Sequence, residues 1–239
     1  GPQYVVQGLA ASQETVGQAR RTVHQRNLAG QVSIALLSGG GLPYTDNLVS
    51  LLVGDDLGNV GADEINRVLS PGGVAYLKTA GKWEKTVKAW PDDIDEWTHF
   101  LHGASGNAVA NDTQIGPPRH MQWVASPGWM RHHHSLASVA ALVSTQGRIF
   151  FIADEGSTAA VEAPSKWSVF ARDAFNGVLL WTHPIKEWAN QMKSFRSGPV
   201  QLERILVARD DRVYVTLQLD AGVSILDAVT GKIVAECEG

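Results

Sequence analysis

A single cysteine, Cys237, stands in the 239 residues, so neither an intrachain disulfide nor a cysteine-based zinc site can form. Cysteine usage therefore leaves the compartment undecided. No apolar run approaches the roughly 20 residues of a membrane-spanning helix, and no basic segment followed by an apolar one opens the sequence. Charged residues are scarce at 18%, and 20 Lys and Arg face 24 Asp and Glu without a basic run. Nucleic acid and anionic membrane surfaces thus find no electrostatic footprint. Nucleophile-elbow, P-loop and zincin motifs are missing too. The sequence opens on Gly1-Pro2 rather than Met, which reads as a scar or as a piece cut from a longer parent. Hydrophobic residues reach 44%, enough for a real core, and the length suits one to two domains.

From Tyr4 to Lys78, short apolar runs alternate with helical periodicity. The pattern predicts strands over 4–9, 32–37, 48–53 and 74–78 and helices over 13–27 and 62–69, a βαβ rhythm. Ser12 is a natural N-cap with Glu14 in the first turn, and Val16, Ala19 and Val23 share one face. Ser70-Pro71-Gly72-Gly73 reads as the turn that stops the second helix, because proline cannot continue a helix and glycine reaches positive φ.

Beyond Gly81 the composition turns aromatic and turn-rich, with Trp83, Trp90, Trp97, Trp123 and Trp129, and the remainder reads as all-β. An internal repeat lies there. Arg148-Ile-Phe-Phe-Ile and Ala171-Arg-Asp173-Ala-Phe-Asn-Gly177 match Arg212-Val-Tyr-Val-Thr and Ile225-Leu-Asp227-Ala-Val-Thr-Gly231. The first copy carries an insertion near Glu155–Lys166. Aspartate and glycine at this spacing write a tight turn between two strands, and the order of elements is that of a propeller blade.

Two resemblances follow from these residues. Val6-Gln7-Gly8-Leu9-Ala10-Ala11-Ser12, the loop Leu42-Pro43-Tyr44-Thr45-Asp46-Asn47 and the run Glu64–Gly73 resemble the later part of class I S-adenosylmethionine-dependent methyltransferases. Ala171, Asp173, Gly177 and Trp181 resemble the signature of quinoprotein-type (PQQ-like) β-propeller repeats, with Asn176 in place of Thr. In the second copy Ala235 stands where that tryptophan would be. This order of modules resembles large bacterial fusion proteins. The implied fold class is α/β plus all-β: an incomplete Rossmann-like parallel sheet over 1–80, a Trp-rich linker over 81–120, and about two blades of a partial propeller over 121–239.

The methyltransferase resemblance implies cofactor-binding positions at Ala10, Ser38, Leu42, Asp55 and Asp56. Ala10 and Ser38 stand where the family carries the acids that bind ribose and adenine. The family's first strand and glycine-rich loop lie upstream of Tyr4. That absent strand would sit between the 4–9 and 48–53 strands, which must then pair directly or leave inner edges unpaired. Asp55 and Asp56 follow a strand at its carboxyl end, where open sheets place ligands, although Gly-Asp-Asp is also ordinary turn composition.

Other clusters invite a chemical reading. His132, His133 and His134 are consecutive, so alternate faces of an extended segment let at most two converge on a metal. Loop or packing use fits them better, and no metal site is expected. His99 and His102 share a face if their segment is helical, where packing again competes with metal or proton sharing. Asn107, Asn111 and Asp112 compose a polar loop. Trp167, Trp181 and Trp188 could floor a quinone, but packing between repeats accounts for Trp181 better, and PQQ is not expected on two repeats.

The implied function is a piece of a methyltransferase-like parent fused to a propeller, with S-adenosylmethionine as that parent's cofactor and this chain inactive alone. The alternatives are a non-enzymatic scaffold whose propeller holds a protein or glycan, and a fragment of a PQQ-dependent dehydrogenase. Expected partners are the remainder of the parent and such a ligand. The resemblance implies an extracytoplasmic, periplasmic location by analogy.

Overall fold

The computed structural model describes residues 4–55, 57–113, 116–117, 121–126, 139–159, 163–186, 204–218 and 221–238. It divides into two compact units, Gly1–Pro91 and Asp92–Gly239.

In the first unit β1 (Val6–Ala10) leads through α1 (Gln13–Gln25) to β2 (Val32–Leu36), which pairs parallel to it. Helix α1 starts where expected: the Ser12 side chain accepts the Thr15 backbone N–H at 3.1 Å. Asn27 and Gly30, both at positive φ, carry the chain out of it. A second sheet holds β3 (Val49–Gly54), β4 (Leu69–Thr79) and β5 (Lys82–Val87) in that order, β3–β4 parallel and β4–β5 antiparallel. The short α2 (Ala62–Val68) connects β3 to β4.

Ser70-Pro71-Gly72-Gly73 is not a free turn: β4 begins at Leu69 and runs through it. Val49 faces Leu69 while Leu51 already faces Val74, so the extra residues form a bulge. Gly73 makes this possible, because an added Cβ would lie 2.9 Å from the Val49 carbonyl and 2.7 Å from that of Ser70. Val68, Leu69, Leu52 and Ala75 form the core of this unit. The opposite face of the β3–β4–β5 sheet exposes Leu51, Val53 and Val87, with Tyr76 stacked on Trp83 at 5.0 Å.

Among the described residues of the second unit, the strands form two four-stranded antiparallel sheets. The first is β6 (Val139–Thr145), β7 (Arg148–Asp154), β8 (Trp167–Asp173) and β9 (Leu179–Pro184). The second is β10 (Leu206–Arg209), β11 (Arg212–Thr216), β12 (Val223–Asp227) and β13 (Ile233–Glu236). Each adds strands in sequence order. Arg148 pairs with Asp173 as Arg212 pairs with Asp227, which locates the insertion in the β7–β8 hairpin: 25 residues separate the first pair and 15 the second.

The aspartate turns behave alike. The Asp173 carboxylate accepts the N–H groups of Phe175 and Asn176, and Asp227 accepts those of Val229 and Thr230. Gly177 and Gly231 close the turns at φ 72° and 69°. An indole lies on each glycine. Trp123 donates its ring N–H to the Ala174 carbonyl at 2.9 Å, and Trp181 donates to that of Ala228 at 3.0 Å. A Cβ on Gly177 or Gly231 would lie 2.5 or 2.6 Å from ring atoms, so only glycine admits the tryptophan. Trp181, on β9, thereby ties the first sheet to the turn of the second. Between the sheets lie Phe150, Ile152, Val213, Val215 and Leu226, all without exposed surface.

The expected fold class is corrected by this arrangement. The described residues are 43% strand and 11% helix, in four separate small sheets. Among the described residues no Rossmann-like sheet forms, because β1–β2 and β3–β4–β5 do not join and the two helices cannot cover both faces of either. Among them no propeller is present either: neither four-stranded sheet is part of a closed or propeller-like array.

Candidate functional site

The β1–β2 pairing brings two of the expected positions to one end of a sheet. Ala10 is the last residue of β1 and sits opposite Leu36; its carbonyl accepts the Leu37 N–H at 2.8 Å, which places Ser38 just beyond. Ser38 is exposed and opens the glycine run Gly39-Gly40-Gly41, whose first member takes φ 73°. Gly40 passes so close to Asn59 that a Cβ would lie 3.2 Å from its carbonyl, so the loops that follow β2 and β3 meet there. Asp55 is exposed at the end of β3, on the other sheet. Asp56 lies outside the described residues.

Leu42 is no surface contact residue but part of the core, 6% exposed. Its position depends on a polar network that the sequence reading missed. The Leu42 N–H donates to Glu64 Oε1, and Arg67, one turn along α2, donates to both Glu64 oxygens at 2.7 Å. The same guanidinium reaches the Tyr44 carbonyl and the Asp46 carboxylate. Arg67 and the Leu42 N–H hold the Glu64 carboxyl down at about 2, and the two acids push the Arg67 pKa up. Lys88 completes the fastening, donating from Nζ to the Asn47 side chain and to the Asn66 and Leu69 carbonyls at the end of α2. Burial pushes its pKa down. The i,i+3 spacing of Glu64 and Arg67 on a helix was the available signal.

Residues 96–102 are not helical, so His99 and His102 do not share a helix face. They pair across a tight turn, the His99 N–H donating to the His102 carbonyl at 3.1 Å, with His102 at φ 70°. Asp95 is the hub. Its Oδ2 lies 2.7 Å from His102 Nε2 and accepts the Asn111 backbone and side-chain N–H groups, while Oδ1 accepts the Glu96 N–H. The Asn111 and Glu96 amides hold its pKa at about 2, with His102 adding to them against burial. His99 is pushed down by burial and, second, by the charge of Arg209. Asp112 accepts the Asp95 N–H at 2.7 Å, a structural use.

This strap crosses both sheets of its unit. The Trp97 carbonyl accepts the Ser144 N–H of β6, the Thr98 carbonyl accepts the Ala208 N–H of β10, and the Glu96 carboxylate accepts from Thr145 and Gln146. Trp167 and Trp181 are core residues, 5% and 9% exposed, and offer no open stacking floor. His132, His133, His134, Trp129 and Trp188 lie outside the described residues. Among the described residues no group of three His, Cys, Asp or Glu could hold a metal ion. No described helix is long and apolar enough to cross a membrane.

No known protein family matches the sequence, and no curated protein does. Among solved structures, the (4+2)-cyclase SpnF is similar at 28% identity, over 31% of this chain and 29% of that one, with a TM-score of 0.29. The chain thus spans less than a third of that protein, and a score this low carries no argument about function.

Proposed function

We propose that the first unit is related to S-adenosylmethionine-dependent methyltransferases and does not bind that cofactor by itself. The residue patterns at 6–12, 42–47 and 64–73 support the relation. One observation carries the second half. The Leu37–Ala10 bond sets Ala10 and Ser38 side by side at the strand ends, where a methyl and a single hydroxyl stand in place of the carboxylates that would accept the hydroxyls of a nucleoside. Asp46, the acid nearest that loop in sequence, and Glu64, whose Oε1 would lie 3.7 Å from a Cβ on Gly41, are already held by Arg67. The donor set does not fit the cofactor, and no catalytic step is assigned.

Calorimetric titration of S-adenosylmethionine and S-adenosylhomocysteine into this chain is expected to give only heats of dilution. Saturable binding would overturn the proposal. Binding by a parent extended upstream, but not by this chain, would mark the unit as part of a working methyltransferase. A non-enzymatic reading, in which the unit serves to hold another protein, is favoured by the apolar outer face of the β3–β4–β5 sheet. Neither form binding the cofactor would support it.

A further inference from the structure

The sequence contains a single Asn-Gly pair, Asn176-Gly177. Such a pair is chemically vulnerable, because glycine puts no Cβ beside its own nitrogen and leaves the backbone free to rotate. The Gly177 nitrogen loses its proton and attacks Asn176 Cγ; a C–N bond forms and the side-chain amide leaves as ammonia. Water then opens the cyclic imide at either carbonyl, giving aspartate or isoaspartate. One water is consumed, one ammonia is released, and nothing is oxidised or reduced.

In the folded turn the attacking nitrogen and the amide oxygen are both engaged. The Gly177 N–H donates to the Asp173 carbonyl at 2.9 Å. Asn176 Oδ1 accepts the Val178 N–H at 3.0 Å, and the Asn176 N–H donates to Asp173 Oδ1 at 3.0 Å. Gly177 is buried beneath the Trp123 ring, which the indole bond to Ala174 anchors. Turning the 176–177 peptide toward ring closure requires the indole to lift. The second turn carries Thr230-Gly231 under Trp181, the same geometry without a reactive amide.

We propose that Asn176-Gly177 is a deamidation site that the docked Trp123 keeps closed in the folded chain. When the turn opens, reaction adds either a negative charge beside Asp173 or, as isoaspartate, an extra methylene in the backbone. The β8–β9 register cannot absorb that methylene, so each such opening becomes irreversible.

The test incubates the full chain at mildly alkaline pH, folded and in denaturant, and reads aspartate and isoaspartate at position 176 by peptide mapping. The folded chain is expected to react at least about tenfold more slowly, the gap set by the cost of local opening. Trp123→Phe keeps a ring but loses the indole bond, and should react faster than the wild type when folded. Trp123→Ala should approach the denatured rate, and Asn176→Thr should give no product there. Should Trp123→Ala fail to fold, the wild type and Trp123→Phe still decide. Equal rates in folded and denatured wild type, or a folded Trp123→Phe at the wild-type rate, would overturn the proposal.

Discussion

In the second unit Phe150, Ile152, Val213 and Leu226 have no exposed surface, whereas in the first unit Leu51, Val53 and Val87 keep more than half of theirs. The two units therefore rest on different physics. Two four-stranded sheets enclose a shared apolar layer, and each large side chain buried there contributes about 1.5–3 kcal/mol of transfer free energy. A three-stranded sheet beside one short helix can bury only one of its faces. The first unit compensates by fastening its loops with charge: Arg67 joins α2 to residues 42–46, and Lys88 joins the end of α2 to Asn47 and Leu69. Charge fastening should be sensitive to acid and salt, and packing to the loss of volume.

The largest expected effect breaks the packing side of this contrast. Trp181→Ala removes a ring that is 9% exposed, packed on Phe150 at 5.8 Å and bonded to the Ala228 carbonyl. It should destabilise the second unit by about 3–5 kcal/mol. Urea unfolding followed by near-UV dichroism checks this, and a loss below about 1 kcal/mol would show that the indole is not what joins the sheets.

Acid titration comes next and sharpens the comparison, since among the described residues each unit holds a carboxyl depressed to about 2. Glu64 in the first and Asp95 in the second both lie near 2 when folded, against ordinary values of 4.5 and 3.8. A depressed folded value means stability that is fully present above the unfolded pKa and lost as pH falls through the folded one. Both units should therefore weaken between about pH 4.5 and pH 2. Glu64→Gln should flatten that loss in the first unit only, and Asp95→Asn in the second only. Unit-resolved hydrogen exchange across this range separates them; a profile unchanged in both variants would remove these carboxyls from the account.

The smallest effect concerns the uncovered face. Val53→Thr, at a position 58% exposed, should change stability by no more than about 0.5 kcal/mol while reducing self-association. Light scattering against concentration reads the second quantity. A large stability loss would mean that the face is covered in solution.

Local features were legible in the sequence where one residue type had one physical reason to be there. Helix α1 is announced by Ser12 and stopped by Asn27 and Gly30, and both aspartate turns follow from the spacing of Asp and Gly. Pairing was harder to read, because strands in the right order do not say which edges meet. The resemblance left open whether the 4–9 and 48–53 strands pair directly or keep unpaired inner edges, and β1–β2 and β3–β4–β5 remain separate. Ser70–Gly73 looked like a turn because proline and glycine also make bulges. At the candidate site, Ala10 and Ser38 do converge, but Leu42 is core, and the polar groups that fix its loop are Glu64 and Arg67. Their role depends on a loop some 20 residues away in sequence, which periodicity cannot see. The Asp95 hub is similar. Its four donors come from Glu96, His102 and Asn111, and bringing the 96–102 segment onto the polar loop that holds Asn111 is a contact that spacing alone does not announce.

The strap through Trp97 and Thr98 also bears on the order of events during synthesis. Adjacent carbonyls bond to β6 at Ser144 and to β10 at Ala208, so the second closure joins residues 110 positions apart. Residues 95–102 are made near the start of their unit and must wait for β10 before their bond to Ala208 can form. Pairings this distant fold slowly and leave strand edges exposed meanwhile. The strap, among the first residues of its unit to be synthesised, thus closes onto β10 only after the whole first sheet has been made.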